Sequence, residues 1–271
     1  MLKRIITGAA LVAVVTGFFF LRLITPALFE ILIWLLAVLG SYEVASSFGD
    51  KIHPAQKWAA VIVSALFTPA HLFFGLVGAA AVAVFSLAVH LSLIVLLYGR
   101  AGPVGAGIAV AASFYPALLL VTMSAANFLN DYSTAALLMI FVISPFTDTF
   151  AYFVGSLIKG PKLCPAISPK KTVSGAIGGV LGGILGAVAV YFVYGSFGGS
   201  VPPWWFCLAV GAVGSVLTEF GDLVESAVKR EVGVKDMGRL LPGHGGIMDR
   251  IDGISFACPF IYFGFVLLCA F

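Results

Sequence analysis

The run "VSGAIGGVLGGILGAVAVYFVYG", residues 173–195, contains no charged side chain and is rich in glycine and aliphatic residues. A helix crosses the roughly 30 Å of bilayer hydrocarbon with about 20 apolar residues, so this run is long enough to span a membrane. Its glycines recur at small-xxx-small spacing, which allows two membrane helices to approach closely. We therefore predict a membrane-spanning helix that packs against a neighbour through a glycine face.

The rest of the chain follows the same pattern. Of its 271 residues, 61% are hydrophobic and 10% are charged, whereas soluble domains average roughly 45–50% apolar residues. Apolar runs predict about nine transmembrane helices, near residues 4–22, 26–48, 56–70, 73–99, 104–127, 133–157, 173–195, 203–228 and 252–271. The sequence thus predicts an all-α, polytopic integral membrane protein. Its first segment is interpreted as an uncleaved helix, because no cleavage site and polar mature domain follow it.

The basic residues predict the orientation of the chain. With nine spans, 14 of the 15 Lys and Arg residues fall on one side of the membrane, and Arg22 falls on the other. Because cytoplasmic loops carry the excess of positive charge, we predict a cytoplasmic N-terminus and an external C-terminus in a cell membrane. The net charge of +3 is then mostly a topology signal and does not indicate a nucleic-acid partner.

Carboxylates occur where a membrane helix makes them costly, and such residues mark function by default. They are Asp148 in the sixth segment, Glu219, Asp222 and Glu225 at the end of the eighth, and Asp249 and Asp252 at the start of the ninth. On the eighth helix, Ser226, Lys229 and Arg230 share the face of Glu219 and Asp222. Acid beside base predicts Mg²⁺ bound by carboxylates, with phosphate held by the basic groups. Salt bridges at the helix end are the alternative.

Two basic loops flank these carboxylates. In "PGHGG", residues 242–246, the glycines let backbone N–H groups approach an anion, and His244 is either a phosphate contact or a solvated loop residue. In "ISPKKTVSG", residues 167–175, Lys170 and Lys171 precede a helix whose N-cap is Thr172 or Ser174. This second loop predicts either an anion site or an ordinary cytoplasmic loop. Elsewhere Glu30, Glu43, His71 and His90 are isolated in the sequence. We interpret them as side chains that snorkel to the interface or are satisfied by a neighbouring helix, and not as catalytic residues.

The stretch "SAVKREVGVKDMGRLLPGHGGIMDRID", residues 226–252, resembles the signature of the phosphatidate cytidylyltransferase (CDP-diacylglycerol synthase) family. The upstream runs "DTFAYFVG", residues 148–155, and "SPKKT", residues 168–172, are similar to the same family and stand in the same order. After "SPKKT" many relatives carry Trp-Glu-Gly, whereas this chain has Val173-Ser174-Gly175. The detailed resemblance covers roughly residues 144–252 and so includes both basic loops.

The resemblance implies an enzyme that transfers the cytidylyl group of CTP to phosphatidic acid, giving CDP-diacylglycerol and pyrophosphate. It also implies a multi-helix membrane fold, a homodimer, a Mg²⁺ cofactor and a second cation such as K⁺. Residues 1–130 would then be a scaffold with lipid access. Residues 131–271 would be the catalytic region, with cytoplasmic loops at 158–172 and 229–251 and the active site on the cytoplasmic side.

Residue roles follow from the resemblance together with the charge pattern. The expected catalytic residues are Asp222, Asp249, Lys229, Arg230 and His244. The expected metal ligands are Asp222 and Asp249, with Asp252 beside them. The expected substrate-binding residues are Asp148, Lys170, Lys171, Ser226, Lys235, Asp236, Gly245, Gly246 and Arg250.

Three rival functions follow from other patterns. A secondary transporter would show internal repeats and charge in both halves, whereas the charge here lies near loops of the C-terminal half. A CDP-alcohol phosphotransferase would carry an Asp-Gly-x-x-Ala-Arg motif, and "DGISFA" at 252–257 lacks the arginine. A kinase or cytidylyltransferase that acts on another lipid would have similar site chemistry and remains the closest competitor.

Overall fold

A computed structural model describes residues 2–270 of the chain, with side chains from Ile6 onward. Met1, at the predicted cytoplasmic N-terminus, and Phe271 lie outside the described residues, as do the side chains of Lys3 and Arg4. The helices are α1 (Leu2–Ile24), α2 (Pro26–Ser47), α3 (Pro54–Leu96), α4 (Pro103–Phe114), α5 (Ala117–Asn127), α6 (Ser133–Ile158), α7 (Val173–Ser196), α8 (Trp204–Val232) and α9 (Met248–Ala270). Between α6 and α7, β1 (Lys162–Cys164) pairs antiparallel with β2 (Ser168–Thr172).

Within residues 2–270, eight helical segments are long and apolar enough to cross a membrane. They are Ile6–Ile24, Pro26–Ser47, Pro54–Leu96, Pro103–Asn127, Ser133–Ile158, Val173–Ser196, Trp204–Val232 and Met248–Ala270. This confirms the prediction of an all-α membrane protein, to which the structure adds one short hairpin. Helix α8 continues to Val232, so Lys229 and Arg230 lie on its last turn and not in the predicted loop at 229–251.

The longest segment, α3, is interrupted at Gly75. Gly75 has φ 63° and ψ −155°, which is not helical. A Cβ placed on Gly78 would overlap the carbonyl oxygen of Ala70, although residues eight apart in a continuous helix are separated by about 12 Å along the axis. The chain therefore bends sharply here, and each arm of about 21 residues is long enough to span hydrocarbon. The sequence predicts two spans here, 56–70 and 73–99, whose boundary lies within a few residues of this bend, and the count of nine crossings stays a prediction.

The chain forms two compact units. The first comprises the residues up to Ala125 together with Val232–Ile251, and the second comprises Ala126–Glu231 together with Asp252–Phe271. The predicted division near residue 130 stays a prediction, because the later part of the chain contributes to both units.

Buried polar side chains connect helices within the first unit. Ser124 on α5 donates a hydrogen bond to Glu30 on α2 at 2.5 Å, and its hydroxyl lies 2.7 Å from Nδ1 of His71 on α3. All three side chains are buried. Glu30 and His71 are therefore satisfied by a neighbouring helix, which is one of the two predicted alternatives, and they belong to a polar cluster between membrane helices.

Helices α6 and α7 pack through the predicted glycine face in the second unit. A Cβ placed on Gly182 would lie 2.5 Å from Cβ of Phe150, and one placed on Gly178 would overlap the side chain of Val154. Only glycine allows such close approach, and each of these glycines is buried. This confirms the packing prediction and brings the end of α6, which carries Asp148, next to the beginning of α7.

Candidate functional site

A cavity of about 330 Å³ in the second unit collects many of the predicted site residues. We call it the hairpin pocket, because β2 forms one of its walls. Its charged lining comes from α6, β2 and α8 and consists of Asp148, Lys170, Lys171, Glu219 and Asp222. Its other lining residues include Ala151, Tyr152, Leu163 and Ala176. The pocket thus combines a charged wall with an apolar one.

Local structure explains why the two lysines face this pocket. Strand β2 ends at Thr172, which is the N-cap of α7, and its Oγ1 accepts a hydrogen bond from the Gly175 N–H at 3.1 Å. Of the two N-cap candidates, the structure therefore selects Thr172. Lys170 and Lys171 immediately precede the cap, at a helix end where unpaired N–H groups favour anions.

Ser174 does not cap α7 but connects it to the turn after α6. Its hydroxyl donates a hydrogen bond to the carbonyl oxygen of Lys159, the C-cap residue that follows α6. Lys159 has a positive φ of 58° and is followed by Gly160, also at positive φ. Ser174 thus attaches the turn after α6 to the first turn of α7. Ser174 stands at the position where the family resemblance leads us to expect glutamate.

Lysines pair with the carboxylates of α8. Lys171 Nζ forms an ion pair with Asp222, and Lys229 Nζ contacts Glu225 Oε2 at 2.5 Å, one turn along the same helix. Arg230 Nε donates to the carbonyl oxygen of Ile167 at 3.2 Å, which joins α8 to the hairpin. The salt bridges that sequence analysis left open as an alternative are therefore present in this structure.

Three carboxylates of the second unit lie close enough together to share a cation. Asp222 and Glu225 on α8 and Asp252 on α9 each offer one oxygen, and these oxygens lie within 4.8 Å of one another. The close approach of the two helices depends on Gly221, because a Cβ there would lie 2.5 Å from the Asp252 carbonyl oxygen. Carboxylate oxygens are the hard ligands that Mg²⁺ prefers, so the donor set fits that ion.

Glu219 is a further acidic residue in the pocket wall. Its side chain is buried, and its Oε1 has no hydrogen-bond partner among the residues that the structure describes. Its charged neighbours are Lys171, Asp148 and Asp222. The sequence predicts Glu219 on the acidic face of the eighth helix without indicating a specific role for it.

The remaining predicted residues lie in the first unit, in the segment before α9 and in the first turn of α9. A concave surface there, with a volume of about 540 Å³, is lined by Lys235, Asp236, Gly238, Arg239, Leu241, Pro242, Gly243, His244, Gly245 and Arg250. We call residues 235–250 the signature loop. It gathers cationic, glycine and histidine residues on one surface, and the anion site expected there stays a prediction.

Backbone hydrogen bonds shape the signature loop into a tight turn. The Leu241 N–H donates to the Gly245 carbonyl, and the His244 N–H donates to the Leu241 carbonyl, both at 2.9 Å. Gly243 and Gly245 have φ of 78° and 81°, a region that glycine adopts without strain. His244 Nδ1 is buried and has no hydrogen-bond partner within the described part of the chain.

Asp249 and Glu43 both hold backbone groups of this loop. Asp249 Oδ2 accepts hydrogen bonds from the N–H groups of Met237 at 3.0 Å and Gly246 at 2.8 Å. Glu43 Oε2, from α2, accepts the Met248 N–H at 2.8 Å. Glu43 is thus satisfied by a group on another helix, which is one of the two predicted alternatives for this residue. Its position in an apolar helix was the only signal, because its partners lie about two hundred residues away in the sequence.

The predicted site residues thus fall into two groups. The second unit contains Asp148, Lys170, Lys171, Asp222, Ser226, Lys229, Arg230 and Asp252, and the first unit contains Lys235, Asp236, His244, Gly245, Gly246, Asp249 and Arg250. The expected joint role of Asp222 and Asp249 involves both units and stays a prediction, as do the individual residue roles.

Comparison with known proteins supports the resemblance. The model of the cytidylyltransferase family matches residues 2–268. The phosphatidate cytidylyltransferase of Brucella abortus biovar 1 (strain 9-941) is 35% identical over 158 residues, which cover 58% of this chain and 57% of that protein. The phosphatidate cytidylyltransferase of Staphylococcus aureus (strain COL) is 41% identical over 150 residues, which cover 53% and 56%. Each match spans little more than half the length of the relative.

Three observations point to the same family. The fold is a helical membrane fold, the hairpin pocket places lysines and carboxylates beside an apolar wall, and the family model matches nearly the whole chain. The chain belongs to the cytidylyltransferase family. This confirms the family that the sequence resembles.

Proposed function

We propose that this protein transfers the cytidylyl group of CTP to phosphatidic acid, giving CDP-diacylglycerol and pyrophosphate. The observation that carries the proposal is the hairpin pocket, where Lys170 and Lys171 meet the carboxylates of α6 and α8 beside Tyr152 and Leu163. A reaction between a nucleotide and a lipid needs both a charged and an apolar surface. The names of the matched relatives support the same reaction.

The basic residues of the pocket region would hold phosphate. Lys171 and Lys229 now neutralise Asp222 and Glu225, and they would exchange these partners for phosphate oxygens when substrate binds. Lys170 and Arg230 add positive charge at the hairpin. The loop residues Lys235 and Arg250 are proposed to bind further phosphate oxygens, with His244, Asp236, Gly245 and Gly246 completing that surface.

The carboxylates would hold Mg²⁺. Asp222, with Glu225 and Asp252 within 4.8 Å, forms a suitable oxygen donor set, and the family resemblance adds Asp249 to it. When bound, the ion would reduce the negative charge of the nucleotide phosphates and orient them. A second cation such as K⁺ is part of the same proposal. Asp148 and Ser226, close to Asp222 in the pocket wall and on α8, would orient these ligands.

The chemical step would be an in-line displacement. A phosphatidate oxygen forms a bond to the α-phosphorus of CTP, and the bond from that phosphorus to the bridging oxygen breaks to release pyrophosphate. The attacking oxygen is already ionised, so the chain needs no strong general base. Catalysis then consists of bringing two anions together and stabilising the added charge, as the lysines and backbone N–H groups of the site allow.

The active site would lie on the cytoplasmic side of the cell membrane, where CTP is present. The protein would act as a homodimer. The positive-inside distribution of basic residues supports that side. Phosphatidic acid would reach the site from the surrounding lipid, with its phosphate at the interface near the hairpin.

The test is product formation by the full-length protein in lipid nanodiscs, using α-labelled CTP and phosphatidic acid, with Mg²⁺ or EDTA. We expect a labelled CDP-lipid that requires Mg²⁺ and is lost in Asp222→Asn and Asp249→Asn. Asp131→Asn, which changes an exposed aspartate outside the site, is the matched control. Product from another lipid acceptor, but not from phosphatidic acid, would contradict the substrate. Product in EDTA would contradict the metal.

A further inference from the structure

Glu43 is a carboxylate within an apolar membrane helix, and it is 6% exposed. Its Oε2 accepts the N–H of Met248, the first residue of α9. Four N–H groups at the start of a helix lack partners within that helix, so a carboxylate in this position caps α9. Such a buried charge is costly, and membrane proteins retain it where it serves a function.

The same carboxylate is enclosed by two glycines of the signature loop. A Cβ placed on Gly246 would lie 2.5 Å from Glu43 Oε1, and one placed on Gly238 would overlap the carboxylate. Neither glycine has a positive φ, so the backbone there would accept alanine. Glycine is therefore required by the space that Glu43 occupies. The loop is shaped to fit this side chain.

Glu43 and Asp249 both accept hydrogen bonds from backbone N–H groups of the signature loop. Asp249 follows Met248 directly and accepts the N–H groups of Met237 and Gly246. Gly246 lies against both carboxylates, because its N–H donates to Asp249 Oδ2 and a Cβ placed on it would lie 2.5 Å from Glu43 Oε1. Any movement of Glu43 would thus shift the backbone that fixes the orientation of Asp249.

We propose that Glu43 is a positioning residue for the reaction: it seats the signature loop on α2 and thereby orients Asp249. This rests on the proposed function, in which Asp249 is a metal ligand. Groups that support metal ligands typically contribute about 10- to 100-fold to metal affinity. Glu43 itself contacts neither substrate nor metal in this proposal.

The first measurement is the Mg²⁺ concentration for half-maximal formation of labelled CDP-lipid. Glu43→Ala is expected to raise it about tenfold or more, and Glu43→Gln, which keeps one acceptor oxygen for the Met248 N–H, is expected to raise it less. Glu30→Ala is the matched control, because Glu30 is equally buried in α2 but binds Ser124. An equal shift in the control, or none in Glu43→Ala, would overturn the proposal.

The second measurement does not depend on activity. Hydrogen–deuterium exchange of the full-length protein in detergent should be accelerated about tenfold or more across residues 237–249 in Glu43→Ala, with no change there in Glu30→Ala. If the wild-type protein makes no CDP-lipid, the proposed function fails, and exchange still decides whether Glu43 seats the loop. Unchanged exchange would overturn the proposal whatever the activity.

A double-mutant cycle separates the contact from general damage. Gly238→Ala alone should raise the Mg²⁺ requirement and accelerate exchange, because its methyl group displaces Glu43. In the Glu43→Ala background that methyl has space, so adding Gly238→Ala should change either readout less than about twofold. Fully additive effects would show that Gly238 acts independently of Glu43 and would overturn the proposal.

Discussion

The hairpin pocket and the signature loop carry similar residues but are built differently. In the pocket, a side chain pairs with a side chain, as Lys171 does with Asp222. In the loop, carboxylates pair with backbone N–H groups, as Asp249 does with Met237 and Gly246, and Glu43 with Met248. The pocket is thus held by groups that can exchange partners, whereas the loop is held by a fixed backbone.

This difference predicts different responses to substitution. Charge pairs between flexible side chains rearrange easily, so a change in the pocket should alter substrate binding more than structure. A loop whose backbone surrounds two carboxylates leaves no space for an added methyl group. We therefore expect the largest effects from the smallest changes of size in the loop.

Gly246→Ala is the sharpest test of the loop. Its Cβ would lie 2.5 Å from two atoms of the Glu43 carboxylate, so the chain that carries Asp249 must shift. A displacement of about 1 Å in a catalytic group can reduce the rate about a hundredfold. We expect that loss in kcat for CDP-lipid formation.

The matched control for Gly246→Ala is Gly107→Ala in α4, where a Cβ would meet no atom within 4 Å. Alanine there should preserve activity and favour the helix. Full activity in Gly246→Ala would contradict the view that the loop is rigid around Glu43.

Lys171→Ala tests the exchangeable character of the pocket. It removes the partner of Asp222 and one positive charge from the pocket wall. A hydrogen bond to a charged group contributes about 2 kcal/mol, or about thirtyfold in kcat/KM. We expect most of this loss as a higher KM for CTP, with partial recovery in Lys171→Arg.

Lys57→Ala provides the comparison for Lys171→Ala. Lys57 lies over the rings of Tyr42 and Trp58 in the first unit, outside the pocket. Its loss should leave the KM for CTP unchanged. A decrease in kcat with constant KM in Lys171→Ala would instead indicate that Lys171 acts only in the transition state.

The sequence alone predicted those features that depend on local pattern. Apolar runs predicted the membrane helices, small-residue spacing predicted that α7 packs through a glycine face, and helical periodicity placed Asp222 and Lys229 on one face of the eighth helix. These features are encoded by residues close together in the chain. The signature run identified the family for the same reason, because all of its fixed positions lie within residues 226–252.

Features that depend on distant residues were missed. Glu43 contacts a loop about two hundred positions away, and Ser124 joins Glu30 and His71, which lie on two other helices. Nothing in the local sequence of α2 distinguishes a buried carboxylate with partners from one that reaches the interface. The β-hairpin was missed because its strands are only three and five residues long, too short for a clear alternation.

Thr172→Ala tests how the hairpin is joined to α7. Loss of the N-cap hydroxyl leaves the Gly175 N–H without its acceptor, which costs about 1 kcal/mol in a typical helix. We expect that decrease in the free energy of unfolding, measured in mixed micelles with increasing denaturing detergent. Thr172→Ser keeps the hydroxyl and should retain most of the stability. Equal losses in both variants would mean that the methyl group of Thr172, and not the cap, stabilises this junction.

Lys159→Gly is expected to have the smallest effect, and it is stabilising. Lys159 has φ 58° and ψ −142°, a conformation that costs a residue with a Cβ about 1 kcal/mol or more. Glycine adopts it freely, although the unfolded chain then gains entropy, so we expect a net increase in unfolding free energy of about 0.5 kcal/mol. Lys159→Ala removes the same charge but keeps Cβ, and it should give no increase. An equal gain in both variants would show that relief of charge repulsion at the hairpin, and not backbone strain, is responsible. The turn after α6, which Ser174 attaches to α7, would then be free of backbone strain. In that respect the backbone beside the hairpin pocket would resemble the backbone of the signature loop.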